Sequence, residues 1–129
     1  LNAKVATLIC GDDLFVTNIE RLRRGAALNS AGAMIFKPNM IGTVTEALDA
    51  ARYAMAQGME VIPSLRAATS PGDPTAELGM AVSARLMKVG APQTGERTRQ
   101  QNTLMRIEES LGAAAAMIGE EEVRRWLSV

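Results

Sequence analysis

What most constrains the fold of this 129-residue chain is a repeated pattern: a short apolar run, a charged residue at its end, then a helix-like segment, four times in succession. The runs are Val5 to Cys10, Ala33 to Phe36, Met59 to Pro63 and, more weakly, Arg85 to Lys88 ("RLMK"). Continuous apolar runs of this length suit strands buried on both faces. The intervening segments carry helix signals. Asn18 caps a helix with Leu22, Ala26, Ala27 and Leu28 on its apolar face, and a turn follows around Asn29 to Gly32. Thr43-Val44-Thr45-Glu46 reads as a capping box, opening a helix that stops at Gly58. Asp73 as cap, with Pro74 at the first helical position, starts another helix through roughly Ala84. Gly90 to Gly95 leads into a long helix ending near Gly112, and "EEEVRRWL" supplies a last short one.

Strand and helix alternating in this way predict right-handed βαβ units, hence an α/β fold with a parallel sheet and helices outside it. The repeat of about 25 residues is near the unit of an eight-stranded barrel of about 250 residues. Four units make half of such a barrel, so residues 1–129 are read as a single half-barrel domain. Left alone it would expose two strand edges, which predicts either a homo-oligomer or a longer chain containing the missing amino-terminal half. The first residue, Leu1, also predicts a processed chain or one cut from something longer.

In a βα barrel, side chains leaving the carboxyl ends of the strands meet in one mouth. The residues at those ends are Asp12 and Asp13, Lys37, Arg66 and Lys88. An acidic pair facing three cations suits an anionic substrate bridged to a divalent metal. Each also has an ordinary structural reading. The two aspartates can serve turn and capping chemistry, the lysines can be solvated surface residues, and Arg66 can be a loop arginine. Recurrence at one phase of each repeat is what favours the joint site.

Composition narrows the chemistry further. There is no histidine, so the commonest neutral-pH base and transition-metal ligand is missing, and any metal must be held by oxygen, which favours magnesium, manganese or calcium. Cys10 is the one cysteine, and with no secretory or membrane-spanning pattern a reducing, cytoplasmic setting is expected. Fourteen basic and fourteen acidic residues balance, without a basic block interleaved with aromatics, so neither nucleic acid nor a membrane surface is the expected partner. A small molecule or another protein is. The methionine-containing segments "ARYAMAQGM" and "NTLMRIEESL" are expected to pack on the barrel, and Trp126 to plug an end or mark an oligomer contact.

Three stretches carry a resemblance: "GDDLFVTN" at 11–18, "KPNMIGTVTEALDAARYA" at 37–54 and "KVGAPQTGERTRQQNTLMRIEESLG" at 88–112. From Val5 to Gly119 the chain resembles the carboxyl-terminal half of the enolase barrel domain. The resemblance implies a magnesium-dependent lyase that dehydrates 2-phosphoglycerate to phosphoenolpyruvate, a small phosphate- and carboxylate-bearing substrate. By the same likeness Asp12 corresponds to one of three carboxylate metal ligands with Asp13 supporting it, and Lys37 to the catalytic base. Arg66 corresponds to the arginine that grips the phosphate, and Lys88 to the lysine on the substrate-carboxylate side.

The chain departs from the family's Ser-His-Arg-Ser-Gly-Glu-Thr-Glu-Asp pattern: Leu65 stands at the histidine and Ala67 at the second serine, and Met40 replaces the usual glutamine of the lysine motif. Those changes remove polar contacts and open two alternatives, an enolase-superfamily enzyme on another carboxylate substrate or a degenerate, non-catalytic structural module. The remaining metal ligands and the closing lid belong to parts of an enolase that precede this stretch. The chain by itself is therefore expected to be inactive and to hold magnesium weakly or not at all.

Overall fold

The computed structural model describes residues 7–127, with side chains through residue 124. Val5 and Ala6 of the first apolar run and the side chain of Trp126 lie outside the described residues; Thr7 to Ile9 are not strand, so the run expected as a strand through Cys10 is corrected to pairing that begins at Cys10. The element order is β1 (Cys10–Gly11), α1 (Ile19–Ala27), β2 (Ala33–Phe36), a 3-10 turn (Pro38–Met40), α2 (Val44–Ala56), β3 (Glu60–Pro63), α3 (Thr75–Ala81), α4 (Gly95–Leu111) and α5 (Glu120–Leu127). The strands form one parallel sheet in the order β1-β2-β3. Cys10 pairs with Ala33, and Ala33 through Phe36 pair with Glu60 through Pro63.

The fourth strand is reduced to a single parallel bridge between Ser64 and Lys88. The Lys88 amide donates to the Pro63 carbonyl at 2.8 Å, and its carbonyl accepts from the Leu65 amide at 3.4 Å. Residues 85–88 hold only Leu86 and Met87 between two cations, which is too little buried apolar surface to extend the pairing. The fourth unit is thus present at its expected place but with one rung of ladder. This α/β architecture is that of part of a βα barrel.

The three helices that precede strands end alike. At α1 the Ser30 amide reaches the Gly25 carbonyl and the Asn29 amide that of Ala26; at α2 Met59 reaches Ala54 and Gly58 reaches Met55; at α3 Ala84 reaches Gly79 and Ser83 reaches Met80. Each is a Schellman cap, whose turning residue is left-handed: Asn29, Gly58 and Ser83 at φ of 46°, 73° and 52°. The cap at Ser83 ends α3 at Ala81 and so corrects the expected run to Ala84.

Helix starts follow the sequence signals. Asn18 Oδ1 accepts from the amides of Glu20 and Arg21. Thr43 Oγ1 accepts from the Glu46 amide and donates to its carboxylate at 2.7 Å. Asp73 Oδ1 accepts from the Thr75 amide, although the helix begins at Thr75 and not Pro74.

Phe15 anchors the core, and its place explains two glycines. A methyl at Gly11 would sit 2.4 Å from its ring and one at Gly25 2.3 Å, so the ring fills the space that both leave. Gly25 beside Leu22 therefore makes the buried contact of α1, whereas Leu28, expected on the apolar face, is 68% exposed because it caps the helix. On α2 the buried stripe is Ala47, Ala50, Ala51 and Ala54, whose small side chains let the helix lie close to the sheet. Met55 lies beside that stripe and is exposed, as is Met105 on α4, so of the methionines expected to pack, Met59 does and these two do not. Gln100 is the one buried residue of α4 among those described, which leaves most of that helix's surface open.

Candidate functional site

The carboxyl ends of β1 and β2 are joined by side chains. After Gly11 the chain turns on the Asp12 carbonyl, which accepts from the amides of Phe15 and Val16 at 3.1 and 3.0 Å. Val16 and Thr17 then take left-handed backbone at φ of 45° and 55°. Two consecutive β-branched residues there are strained, at a cost of roughly 1–3 kcal/mol each, and such strain persists only where surrounding contacts impose it. The contact is visible: buried Thr17 accepts the Lys37 amide on Oγ1 at 2.9 Å. Lys37 thus leaves β2 in a fixed direction, and its Nζ meets Asp12 Oδ1 at 2.5 Å. The lysine side chain is 13% exposed and the carboxylate 37%, so this ion pair is sheltered but open to a ligand from one side.

The other three residues stand differently. Asp13 is exposed and makes no side-chain hydrogen bond among the described residues. Arg66, at the end of β3, is exposed and has no hydrogen bond or ion pair among the described residues. Lys88 is held by its backbone against Pro63 and Leu65. Asp12 and Lys37 are therefore brought into contact, while Arg66 and Lys88 share their end of the sheet without an ion pair to either.

Cys10 reports on the field inside this end. The residue is exposed as a whole, yet the protein around its thiol desolvates it enough to push its pKa up. The charge of Asp12 pushes the same way, and Lys88 opposes both. Charges from the first and fourth units therefore act on one thiol.

Two positions that depart from the family's pattern fall in different surroundings. Leu65 is only 8% exposed and turns away from solvent, so it does not stand in for a polar group at the mouth. Ala67 is exposed beside Arg66. Thr17 is the residue at the strand ends that the motifs do not single out. It lies within "GDDLFVTN", but nothing in the sequence states that its hydroxyl reaches across twenty residues to Lys37.

The donor set does not make a metal centre by itself. Among the described residues no three Asp, Glu, Cys or His side chains cluster in a way that could hold an ion, and Asp12 already faces an ammonium. Magnesium asks for near-octahedral oxygen coordination, which one carboxylate cannot define.

A parallel α/β sheet with helices packed against it and charged residues following its strands defines a βα-barrel segment. Residues 2–126 match the family described as "Enolase, C-terminal TIM barrel domain", and the chain belongs to the enolase family. It is 50% identical over 109 residues to the enolase of Methanosarcina barkeri, a match covering 84% of this chain and 26% of the relative. The enolase of Methanocaldococcus jannaschii is 47% identical over 104 residues, covering 81% and 25%, and that of Beutenbergia cavernae 46% over 111 residues, covering 86% and 26%. The chain spans about a quarter of the length of these relatives.

Proposed function

We propose that this chain is the carboxyl-terminal half-barrel of a magnesium-dependent enolase-type lyase that dehydrates 2-phosphoglycerate to phosphoenolpyruvate. The observation that carries the reading is the Asp12–Lys37 contact, fixed by Thr17 at adjacent strand ends. Abstracting a proton α to a carboxylate needs a base held in place with a free lone pair: Thr17 and Asp12 hold Lys37 in place, and the ammonium must first give up its proton to solvent, leaving the neutral amine to act. In this reading Lys37 takes the proton. Arg66 offers its planar fork to the phosphate, and the absence of a protein partner among the described residues leaves the fork available. Lys88 neutralises the substrate carboxylate, and Asp13 supports the acidic end. Asp12 would offer one oxygen ligand to magnesium, with the remaining ligands supplied by other parts of the longer protein.

Activity then belongs to the longer protein and not to this chain alone. The protein is taken to be cytoplasmic, assembled as a homo-oligomer or with the amino-terminal half, with no nucleic-acid or membrane partner. No helix among the described residues is long and apolar enough to cross a membrane. The test is a continuous assay of 2-phosphoglycerate dehydration with magnesium, on this chain and on the native gene product with its upstream extension. Activity in the extended protein alone is the expected result. Silence in both would overturn it and favour the second reading, a superfamily enzyme on another carboxylate substrate, which the buried Leu65 and the non-polar Ala67 support. Silence on a panel of such carboxylates as well would leave a non-catalytic module.

A further inference from the structure

Asp73 is the one charged residue buried among those described, at 7% exposure, and no cation among them lies within ion-pair distance of it. Its two oxygens serve different parts of the fold. Oδ1 accepts from the amide of Thr75 at 2.9 Å and from the Thr75 hydroxyl, which caps α3. Oδ2 accepts from Thr69 Oγ1 at 2.7 Å and from Asn39 Nδ2 at 3.2 Å. A helix cap needs only the first oxygen. The partners of the second come from two separate strand-end segments, Asn39 from the 3-10 turn directly after Lys37 and Thr69 from the loop directly after Arg66.

The backbone of Asp73 is held as firmly. Its carbonyl accepts from Gln100 Nε2 at 2.6 Å, and Gln100 Oε1 accepts from the Ala76 amide at 3.0 Å. Buried Gln100 on α4 thus fixes the start of α3, and the carboxylate projects from a stationary point. A buried carboxylate carries a large desolvation cost unless its lone pairs are filled, and here four donors fill them. Losing either loop partner leaves part of that charge unsatisfied, so the arrangement favours one relative placement of the two loops.

We propose that Asp73 is a positioning residue that ties the Arg66 loop to the Lys37 turn, and so sets the affinity for the substrate's phosphate end. The proposal rests on the role given to Arg66 above. It differs from a helix cap in what it does to binding: loosening Oδ2 should release Arg66 while leaving the lysine anchored by Thr17 and Asp12.

The experiment uses the full-length protein. Thr69→Val removes one donor to Oδ2 at nearly constant shape, Thr69→Ser restores it, and Thr75→Val disturbs only the Oδ1 side. Thr69→Val is expected to raise KM for 2-phosphoglycerate about tenfold with kcat within about twofold. Thr69→Ser should return KM to the parent value, and Thr75→Val should lower Tm with KM unchanged. A second readout needs no turnover: Arg66 is an exposed trypsin site, and cleavage after it should quicken about tenfold in Thr69→Val, relative to other sites, and not in Thr75→Val. An unchanged cleavage rate in Thr69→Val, or KM shifts that track Tm in both variants, would reduce Asp73 to a cap. If the parent protein does not turn over 2-phosphoglycerate, the functional reading fails, and cleavage after Arg66 still decides the tie.

Discussion

The ends of β2 and β3 each present a cation, in opposite states. Lys37 is gripped at its amide by Thr17 and at its ammonium by Asp12, and in the turn that carries Thr17 the Phe15 ring is wedged between Gly11 and Gly25. Arg66 stands exposed on a loop whose attachment is made further along, at Thr69 and Asp73. The difference suits the two tasks proposed for them. Proton abstraction tolerates little misplacement of the base, whereas an arginine gripping a phosphate can close on its ligand.

The comparison can be broken hardest at Lys37. Lys37→Ala in the full-length protein should lower kcat by at least about 10³-fold, as loss of a positioned general base does, with Tm measured alongside to separate chemistry from folding. Next comes the wedge. Phe15→Ala should cost about 3–5 kcal/mol, read as a lowered urea midpoint, because neither flanking glycine has a side chain to fill the cavity. Thr17→Val should cost about 1–3 kcal/mol by leaving the Lys37 amide unpaired, and should lower kcat more than it raises KM. On the exposed side the expectation reverses: Arg66→Lys should leave stability within about 0.5 kcal/mol, since the side chain meets solvent, while raising KM about tenfold.

The smallest effect tests the shared field. Since burial and Asp12 raise the Cys10 pKa, the folded protein holds that proton after the unfolded chain has lost it. Stability from this group is therefore full below the unfolded thiol's pKa and declines as pH rises through the folded value. Alkylation of Cys10 near pH 8 should be slower than that of a free thiol, quicken a few-fold in Asp12→Asn and slow further in Lys88→Met. No change in Lys88→Met would mean that the fourth unit does not share the mouth.

Local features of the fold are legible in the sequence. β2 lies where the apolar run places it, Thr43 and Glu46 form their capping pair, and the charged residues fall at strand ends, because period and capping are local properties. What the sequence does not disclose is set by partners distant along the chain. Residues 85–88 have the pattern of a strand but meet only one rung. Thr17 and Asp73 read as turn and cap because a sequence shows a side chain's type, not which of its oxygens is turned toward which loop. Leu65 differs again: its identity shows what is lost at that position, and only its burial shows that nothing replaces it there.

The three matching helix ends have a further consequence. Each hands the chain to a strand, or to the single rung standing in for the fourth, through the same hydrogen-bonded joint, so the amino ends of these strands are all reached by one standard connection. The opposite ends carry no such standard: the turn after β1, the 3-10 turn after β2 and the long loop after β3 differ in length and in bonding. The standard joints and the proposed chemistry thereby fall on different edges of the sheet. Sequence can be rewritten at the mouth, as it is from Leu65 to Gly72, without changing how one unit is strung to the next.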